Sequence, residues 1–236
     1  MGLRELKKEK TRQLIADTAW RLFAARGFDP VTVAEIAREA QVAEATVFNY
    51  FGSKEDLFYS RLDAFGARLT DAVSGRPPGE PALDAFRRAL LAEDGLLGQA
   101  ETGDAEAFAQ LRTVNRVIAD SPALLAREQQ AMSHTADALA AVLAAETGAA
   151  ADDIRPQAVA NALLGLHRAL IDYVRNRVLA DDDLSGLAAE VRKLATTAFA
   201  QLEHGLADYA PKPPVLGDPP GPPASDAPVG PAAAPR

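Results

Sequence analysis

The sequence predicts an all-α protein of about nine helices, arranged as an N-terminal three-helix domain and a larger C-terminal helical domain. Apolar residues recur at helical spacing through most of the 236 residues. Neither strand-like alternation nor an internal repeat is found. Breaks rich in Gly and Pro, such as "SGRPPGEP" at 74–81, separate the helical segments.

The first helix is predicted to end at Gly27. Ile15, Ala19 and Leu22 follow the i, i+4, i+7 spacing of a buried helix face. Phe28 follows the glycine, and we expect it to contact Phe23 in a Schellman ending.

Two short helices follow, separated by the break "QVA". The first starts at Thr32, which forms a predicted capping box with Glu35. The second runs from Glu44 to Tyr50. Their spacing is typical of a helix-turn-helix unit, in which the second helix reads a DNA groove. A generic helical hairpin is the alternative. The predicted core of the unit consists of Ile36, Ala40, Val42 and Val47.

Ser53 and Asp56 form a second predicted capping box, which starts a helix through about Val73. Its distal part, with Leu62, Phe65 and Leu69, is expected to face the core of the second domain, as the only strong connection between the two domains. Further helices are predicted at about 82–93, 104–119, 122–147, 154–179 and 184–206. Ser121, Pro122 and Gly148 delimit the third of these.

The sequence therefore divides into a domain at 8–66, a second domain at 67–210 and a tail at 211–236. Ten of the 26 tail residues are proline and none is aromatic. We expect this tail to be disordered, because it contains too little apolar surface to bury.

Charge is distributed unevenly. The net charge is −8, yet residues 1–60 contain nine basic and nine acidic groups. Residues 1–12 contain five basic side chains against two acidic ones. This pattern suits an anionic partner that contacts only the N-terminal domain, although a solvated N-terminus would have the same composition.

The stretch "TVFNYFGSKEDLFY" at 46–59 contains five of the fourteen aromatic residues. Phe48 and Phe51 are predicted to hold the short helix against its neighbours. The short side chains of Ala45 and Thr46 would permit close approach to bases, and Asn49 could bind an adenine edge. Ser53 and Lys54 start the next helix, where free N–H groups and the ammonium would bind a phosphate. The predicted DNA-binding residues are Thr32, Val33, Glu44, Ala45, Thr46, Asn49, Tyr50, Ser53 and Lys54.

The run "VTVAEIAREAQVAEATVFNYFGSKEDLF" resembles the DNA-binding signature of the Tet repressor (TetR) family of transcriptional regulators, over about residues 10–60. The resemblance implies an N-terminal helix-turn-helix domain and a C-terminal domain that binds an effector and a second subunit. Three positions differ from the family pattern: Gln41 replaces a turn glycine, Ala43 replaces a capping serine, and Phe48 replaces a tyrosine. A positive φ at Gln41 would be strained.

The implied partners are a double-stranded, palindromic DNA operator, a small and rather apolar effector, and a second copy of the chain. Dimerisation is expected through the helices at 154–179 and 184–206, which have broad apolar faces. Effector binding is expected to release a repressor from its operator. The predicted effector-binding residues are Phe65, Phe86, Phe108, Arg112, Asn115, Arg116, His167 and Asp172.

The sequence gives less support to an enzyme, a metal-binding protein or a secreted or membrane protein. Motifs for zinc peptidases, serine hydrolases and nucleotide-binding loops are missing, so no catalytic residue and no cofactor is predicted. His134 and Asp137 form only a weak metal-ligand pair, and no metal site is predicted. The start of the chain does not resemble a signal peptide, no run is long enough to span a bilayer, and cysteine is absent, so a cytoplasmic protein is expected. A helical ligand-binding or adaptor protein with a non-functional DNA-binding domain remains the alternative.

Overall fold

A computed structural model describes residues 2–60, 64–92, 105–180, 183–206, 209–210 and 212. Within these residues the chain forms ten α-helices and no strand. They are α1 Leu3–Arg26, α2 Val33–Glu39, α3 Glu44–Tyr50, α4 Lys54–Tyr59, α5 Ala64–Ser74, α6 Ala82–Leu90, α7 Ala105–Ala119, α8 Pro122–Thr147, α9 Arg155–Leu179 and α10 Leu187–Leu206. The predicted all-α class is confirmed.

Most predicted helices are found close to their expected ends. Helix α3 has the predicted bounds, and α8 lies between the predicted Ser121 cap and Gly148, which adopts the left-handed conformation. The helix predicted at 53–73 is instead described as α4 and α5, with residues 61–63 outside the described part. Leu69 is buried in the core of the C-terminal domain, as predicted. Leu62 and the side chain of Phe65 lie outside the described residues.

The end of α1 differs from the prediction. Gly27 has φ 82° and ψ 170°, which is not the left-handed helical conformation that a Schellman ending requires. The predicted contact is nevertheless present, because the rings of Phe23 and Phe28 have centroids 5.0 Å apart. The glycine therefore allows a sharp exit from the helix and not a Schellman motif.

We call residues up to Tyr59 the head and the residues from α5 onward the body. The head has its own apolar core, built mainly from α1 to α4. Val117 and Ile118 at the end of α7, and Leu124 at the start of α8, are buried in this same core. The prediction that the helix from Ser53 is the only strong connection is therefore wrong, since the α7–α8 corner completes the core of the head.

The body forms a second core between α5, α6, α8, α9 and α10. Helices α8 and α9 are its longest elements, and the rings of Phe86 on α6 and Phe199 on α10 have centroids 6.4 Å apart in the same core. Each helix contributes one continuous apolar face, as the helical spacing predicts.

The chain after α10 returns to the body. Ala210 is buried, and its carbonyl accepts a hydrogen bond of 2.7 Å from the buried guanidinium of Arg76, which also pairs with Glu146 at 2.6 Å. The N–H of Gly79 donates to the Lys212 carbonyl at 2.8 Å. The prediction of a tail beginning at 211 is therefore wrong for Lys212, which is bound to the body. The rest of the predicted tail lies outside the described residues.

Candidate nucleic-acid interface

Helices α2 and α3 are joined by a turn with defined hydrogen bonding. The N–H of Val42 donates to the Ala37 carbonyl at 3.0 Å, and that of Gln41 donates to Arg38 at 3.2 Å. Gln41 has φ 56°, in the left-handed region, so the backbone at this position is strained. These two bonds and the left-handed residue form a Schellman motif at the end of α2. The turn fixes the direction in which α3 leaves α2.

The inner side of α3 is held by Val47 and Phe51, which are 2 % and 4 % exposed. These residues are one helical turn apart and therefore lie on one face. The opposite side presents exposed Ala45 and Asn49, and Thr46 and Tyr50 are half-buried. The structure thus brings four of the predicted DNA-binding residues together on one solvent-facing side of a short helix.

The prediction that Phe48 holds α3 in place is wrong. Its side chain is 49 % exposed, whereas Phe51, three residues later, is in the core. Helix α3 has no side-chain cap at Ala43, as the sequence indicates, and Glu44 is exposed in its first turn. Buried Val47 and Phe51 therefore hold this seven-residue helix, because such a short helix is not stable by itself.

The N-termini of α2 and α4 are both capped by a hydroxyl. Thr32 accepts from the N–H of Glu35 at 3.2 Å, and Ser53 accepts from the N–H of Asp56 at 2.9 Å. The capping box predicted at Thr32 is incomplete, because the Glu35 carboxylate binds Arg26 at 2.5 Å. That hydrogen bond lowers the pKa of Glu35. Val33 is half-buried beside the head core.

The Lys54 ammonium does not point towards a ligand. It donates to the carbonyls of Phe28 and Val31 at 3.1 Å each and to that of Asp29 at 3.4 Å. It also lies 4.1 Å from the centre of the Phe28 ring. All three ammonium protons are thereby used. In this structure Lys54 fixes the start of α4 against the loop that precedes α2, and the phosphate contact of its ammonium stays a prediction.

Three polar contacts join the head to the first half of α8. The Tyr59 hydroxyl donates to the Leu124 carbonyl at 3.1 Å. Ser121 donates to Asp29 at 2.7 Å, and Arg127 donates to Asp56 at 2.9 Å. The bond from Arg127 lowers the pKa of Asp56. Sequence reasoning missed this joint because its partners are 65–92 residues apart in the chain.

A groove of about 460 Å³ follows this joint between α4 and α8. Its lining residues are Ser53, Glu55, Asp56, Ala123, Ala126, Arg127, Gln130 and His134. None of the predicted effector-binding residues lines it.

The predicted effector-binding residues differ in their burial. Phe86, Asn115 and His167 are buried in the body, and Phe108 and Arg112 are half-buried. The other two described side chains, Arg116 and Asp172, lie nearer the surface, where Asp172 approaches Arg168 at 3.6 Å. The Phe65 side chain lies outside the described residues.

Two polar features lie inside the body. Arg175 on α9 binds Glu128 on α8 through bonds of 2.7 and 3.0 Å, and both side chains are largely buried. His167 is 4 % exposed, and burial lowers its pKa to about 4. The imidazole is therefore neutral at neutral pH.

In the described part of the chain, no helix has the length and apolar character needed to cross a bilayer. The same residues contain no group of three or more acidic or histidine side chains that could bind a metal ion.

Comparison with known families gives two matches. Residues 15–60 match the model described as "Bacterial regulatory proteins, tetR family". Residues 80–207 match the model described as "MftR C-terminal domain". The first match covers most of the head, from the middle of α1 to its end, and the second covers more than half of the chain.

Curated relatives span most of the chain. The transcriptional regulator TcmR of Streptomyces glaucescens is 31 % identical over 192 residues, which cover 79 % of this chain and 82 % of TcmR. A regulator from Mycobacterium tuberculosis strain H37Rv, described as "Putative mycofactocin biosynthesis transcriptional regulator MftR", is 31 % identical over 160 residues, which cover 68 % of this chain and 77 % of that protein.

Solved structures share the fold. NalD, a repressor of the MexAB-OprM efflux pump in Pseudomonas aeruginosa, gives a TM-score of 0.51 at 20 % identity, covering 81 % of this chain and 97 % of NalD. A SmeT–triclosan complex gives a TM-score of 0.53 at 16 % identity, covering 89 % of this chain and 98 % of SmeT.

Proposed function

Because this chain belongs to the TetR family of bacterial transcriptional regulators, we propose that it is a repressor which binds a palindromic operator as a dimer and is released by a small-molecule effector. Like its curated relatives, the chain is a DNA-binding regulator and not an enzyme. The proposal assigns residues 8–66 to DNA binding and 67–212 to effector binding and dimerisation.

The observation that carries the proposal is the outer side of α3. Two exposed residues, Ala45 and Asn49, lie beside half-buried Thr46 and Tyr50 on a helix whose other side is fixed in a core. Short side chains allow a helix to lie deep in the major groove, and an amide can bind adenine through two hydrogen bonds. Hydroxyl groups at the flanks are suited to phosphate oxygens. Exposed Glu44 could accept a hydrogen bond from a cytosine amino group.

The flanking helices contribute contacts in the same proposal. Thr32 and Val33 at the start of α2, and Ser53 at the start of α4, would lie along the phosphate backbone. The hydrogen bond from Lys54 to the Val31 carbonyl supports this arrangement, because it holds the start of α4 next to the residue before Thr32.

Selection from random DNA at a fixed salt concentration tests the proposal. We expect a palindromic site, and we expect Thr46→Ala, Asn49→Ala and Tyr50→Phe each to weaken binding to it by about 5- to 100-fold, as the loss of a base or phosphate contact typically does. Thr196→Ala, which removes an exposed hydroxyl from α10, is the matched control and should bind as the wild type does. The proposal fails if no DNA sequence is enriched.

Dimerisation is assigned to the outer faces of α9 and α10. Exposed Ala158, Gly165 and Ala169 form a strip of small residues along α9, and a Cβ added at Gly165 would meet nothing within 4 Å. Leu194 on α10 is 39 % exposed. Small residues allow a partner helix to approach closely, and an exposed leucine gains from being covered.

Mass measurement of two variants tests this surface. We expect Gly165→Arg to convert a dimer to a monomer, because the arginine would occupy the space needed by the partner helix. Ala25→Arg, at an exposed position of α1, is the control and should remain dimeric. A dimeric Gly165→Arg variant would place the subunit contact elsewhere.

The effector is assigned to the body, where apolar side chains surround the few buried polar groups. The apolar residues of the body core favour an apolar compound, and SmeT, a protein with the same fold, is described in complex with triclosan. Compounds can be screened by measuring operator affinity and particle mass together. We expect an effector to weaken operator binding without dissociating the dimer, and operator DNA to weaken effector binding by the same factor. Release accompanied by monomerisation would contradict this mechanism.

A further inference from the structure

Phe48 is a large apolar side chain exposed on the helix that is proposed to enter DNA. Its exposed fraction is 49 %, while Val47 and Phe51 on the same helix are buried. Five large apolar side chains are exposed among the described residues: Leu6, Leu14, Phe48, Ile154 and Leu194. Phe48 is the one that belongs to α3, and burying it would be favourable.

Helix geometry determines where Phe48 points. At about 100° per residue, buried Val47 and Phe51 define the inward direction, and Asn49 points nearly opposite to it. Phe48 and Tyr50 then lie about 100° to either side of the outward direction. With Asn49 directed at the floor of the groove, Phe48 faces one groove wall and Tyr50 faces the other.

The chemistry of Phe48 limits what it can bind there. A phenyl ring has no donor for a phosphate oxygen, in contrast to the Tyr50 hydroxyl on the other side. The major groove exposes one prominent apolar group, the C5-methyl of thymine. This methyl lies at the edge of the base pair next to its own sugar–phosphate backbone, which is the region faced by a side chain on the flank of the helix.

We propose that Phe48 is a specificity-determining residue that selects thymine by contact with its C5-methyl group. This inference rests on the proposed function, because it requires α3 to lie in the major groove. It deepens that function by naming a base which the helix prefers and the side chain that recognises it. In a two-fold symmetric complex, one thymine in each half-site would be recognised.

Replacing thymine by deoxyuracil provides the test, since this change removes the methyl and keeps the base pairing. The operator selected by the full-length wild type is prepared with deoxyuracil at each thymine position in turn, in both half-sites together. At one pair of symmetry-related thymine positions, we expect deoxyuracil to weaken wild-type binding about 15-fold. This corresponds to about fourfold for each of the two methyl groups that is no longer buried. Phe48→Ala should bind the thymine operator more weakly and show no further loss on deoxyuracil.

Two further variants separate this contact from changes in folding. Phe48→Leu keeps an apolar side chain and should retain a preference for thymine at the same position. Ile154→Ala, at a position that is 78 % exposed on the body, removes an exposed apolar side chain away from the head and should behave as the wild type does.

The outcomes distinguish the inference from the function it rests on. A thymine preference that disappears only in Phe48→Ala supports the inference. Specific binding that is indifferent to every deoxyuracil, or a deoxyuracil penalty that persists in Phe48→Ala, overturns it and leaves the proposed function intact. Failure to select any DNA sequence overturns both.

Discussion

Replacement of Lys54 by methionine tests whether this lysine stabilises the fold or binds DNA. Methionine keeps most of the apolar stem and removes the ammonium that binds the carbonyls of Phe28, Asp29 and Val31. Two of these bonds are 3.1 Å long and partly buried, and the third is longer and exposed. At about 1.5 kcal/mol for each of the two shorter charged bonds, the variant should lose about 3 kcal/mol of stability.

Thermal unfolding followed by circular dichroism measures this loss. For a chain of this size, about 3 kcal/mol corresponds to a fall in Tm of about 6–12 °C. Operator binding measured against salt concentration, below the unfolding temperature, gives the second observable. We expect the slope of log Kd against log salt to be unchanged, because the ammonium neutralises no phosphate.

The converse control is Lys7→Met, on the exposed first turns of α1. This variant should keep the wild-type Tm, and its slope should fall by about one if the basic N-terminus contacts a phosphate. A Lys54→Met variant with the wild-type Tm and a slope reduced by about one would refute the structural role of Lys54. That result would mean that the ammonium leaves its carbonyls to bind DNA.

Three further outcomes are expected. Gln41→Gly should raise the urea midpoint or leave it unchanged, because glycine relieves a backbone strain of about 1 kcal/mol or more but loses more conformational freedom on folding, and a clearly lower midpoint would contradict this. A chain ending at Lys212 should keep the full Tm, whereas one ending at Leu206 should lose about 4–8 °C, because Arg76 and Gly79 each lose a carbonyl partner. In the unfolded chain, His167 takes up a proton below its ordinary pKa of 6.5, whereas in the folded protein its pKa is about 4. The free energy of unfolding should therefore fall as the pH is lowered from about 6.5 to about 4. His167→Gln should remove about 3 kcal/mol of that fall, measured as the unfolding free energy at pH 7 and pH 4; an unchanged pH dependence would show that the imidazole is not responsible.

Local signals in the sequence predicted the helices well. Ser121, Pro122 and Gly148 predicted both ends of α8, since caps act within a few residues of a helix end. The comparison with the family pattern predicted the strained turn at Gln41. These features depend on neighbours in the chain, so the sequence alone is sufficient to locate them.

Side-chain direction on α3 could not be predicted in the same way. Phe48 and Phe51 are three residues apart, and either could face the core of such a short helix. The pairing of Phe51 with Val47, one turn before it, decides the question in the structure. The partners of Lys54 are 23–26 residues earlier in the chain, so its position at a helix start suggested a phosphate where the fold supplies carbonyls.

The predicted effector-binding residues stay a prediction, and the sequence could not indicate how deeply each of them is buried. Their spacing indicated helices with mixed polar and apolar faces, but it could not tell which face would be inside. His167 is in the core, while Asp172, five residues later, is partly exposed. Burial depends on the packing of α8 against α9, which no local pattern specifies.

The head and the body share structure, and this determines how an effector signal can reach DNA. Val117, Ile118 and Leu124 belong to the core of the head, although they lie in helices of the body. A packed core moves as a unit, because its side chains interlock at high density. Any effector that shifts the α7–α8 corner must therefore either move the whole head or open its core.

We expect moving the head to require less free energy than opening its core, because opening would expose buried apolar side chains to water. Three polar contacts, from Tyr59, Ser121 and Arg127, reinforce the attachment to α8, so the head follows that helix. Two heads of a dimer must be about 34–36 Å apart, or a multiple of that distance, to enter successive major grooves. A displacement of α8 at the corner changes this separation directly. We therefore expect control of DNA binding to pass through the α7–α8 corner as well as through the chain connection between α4 and α5.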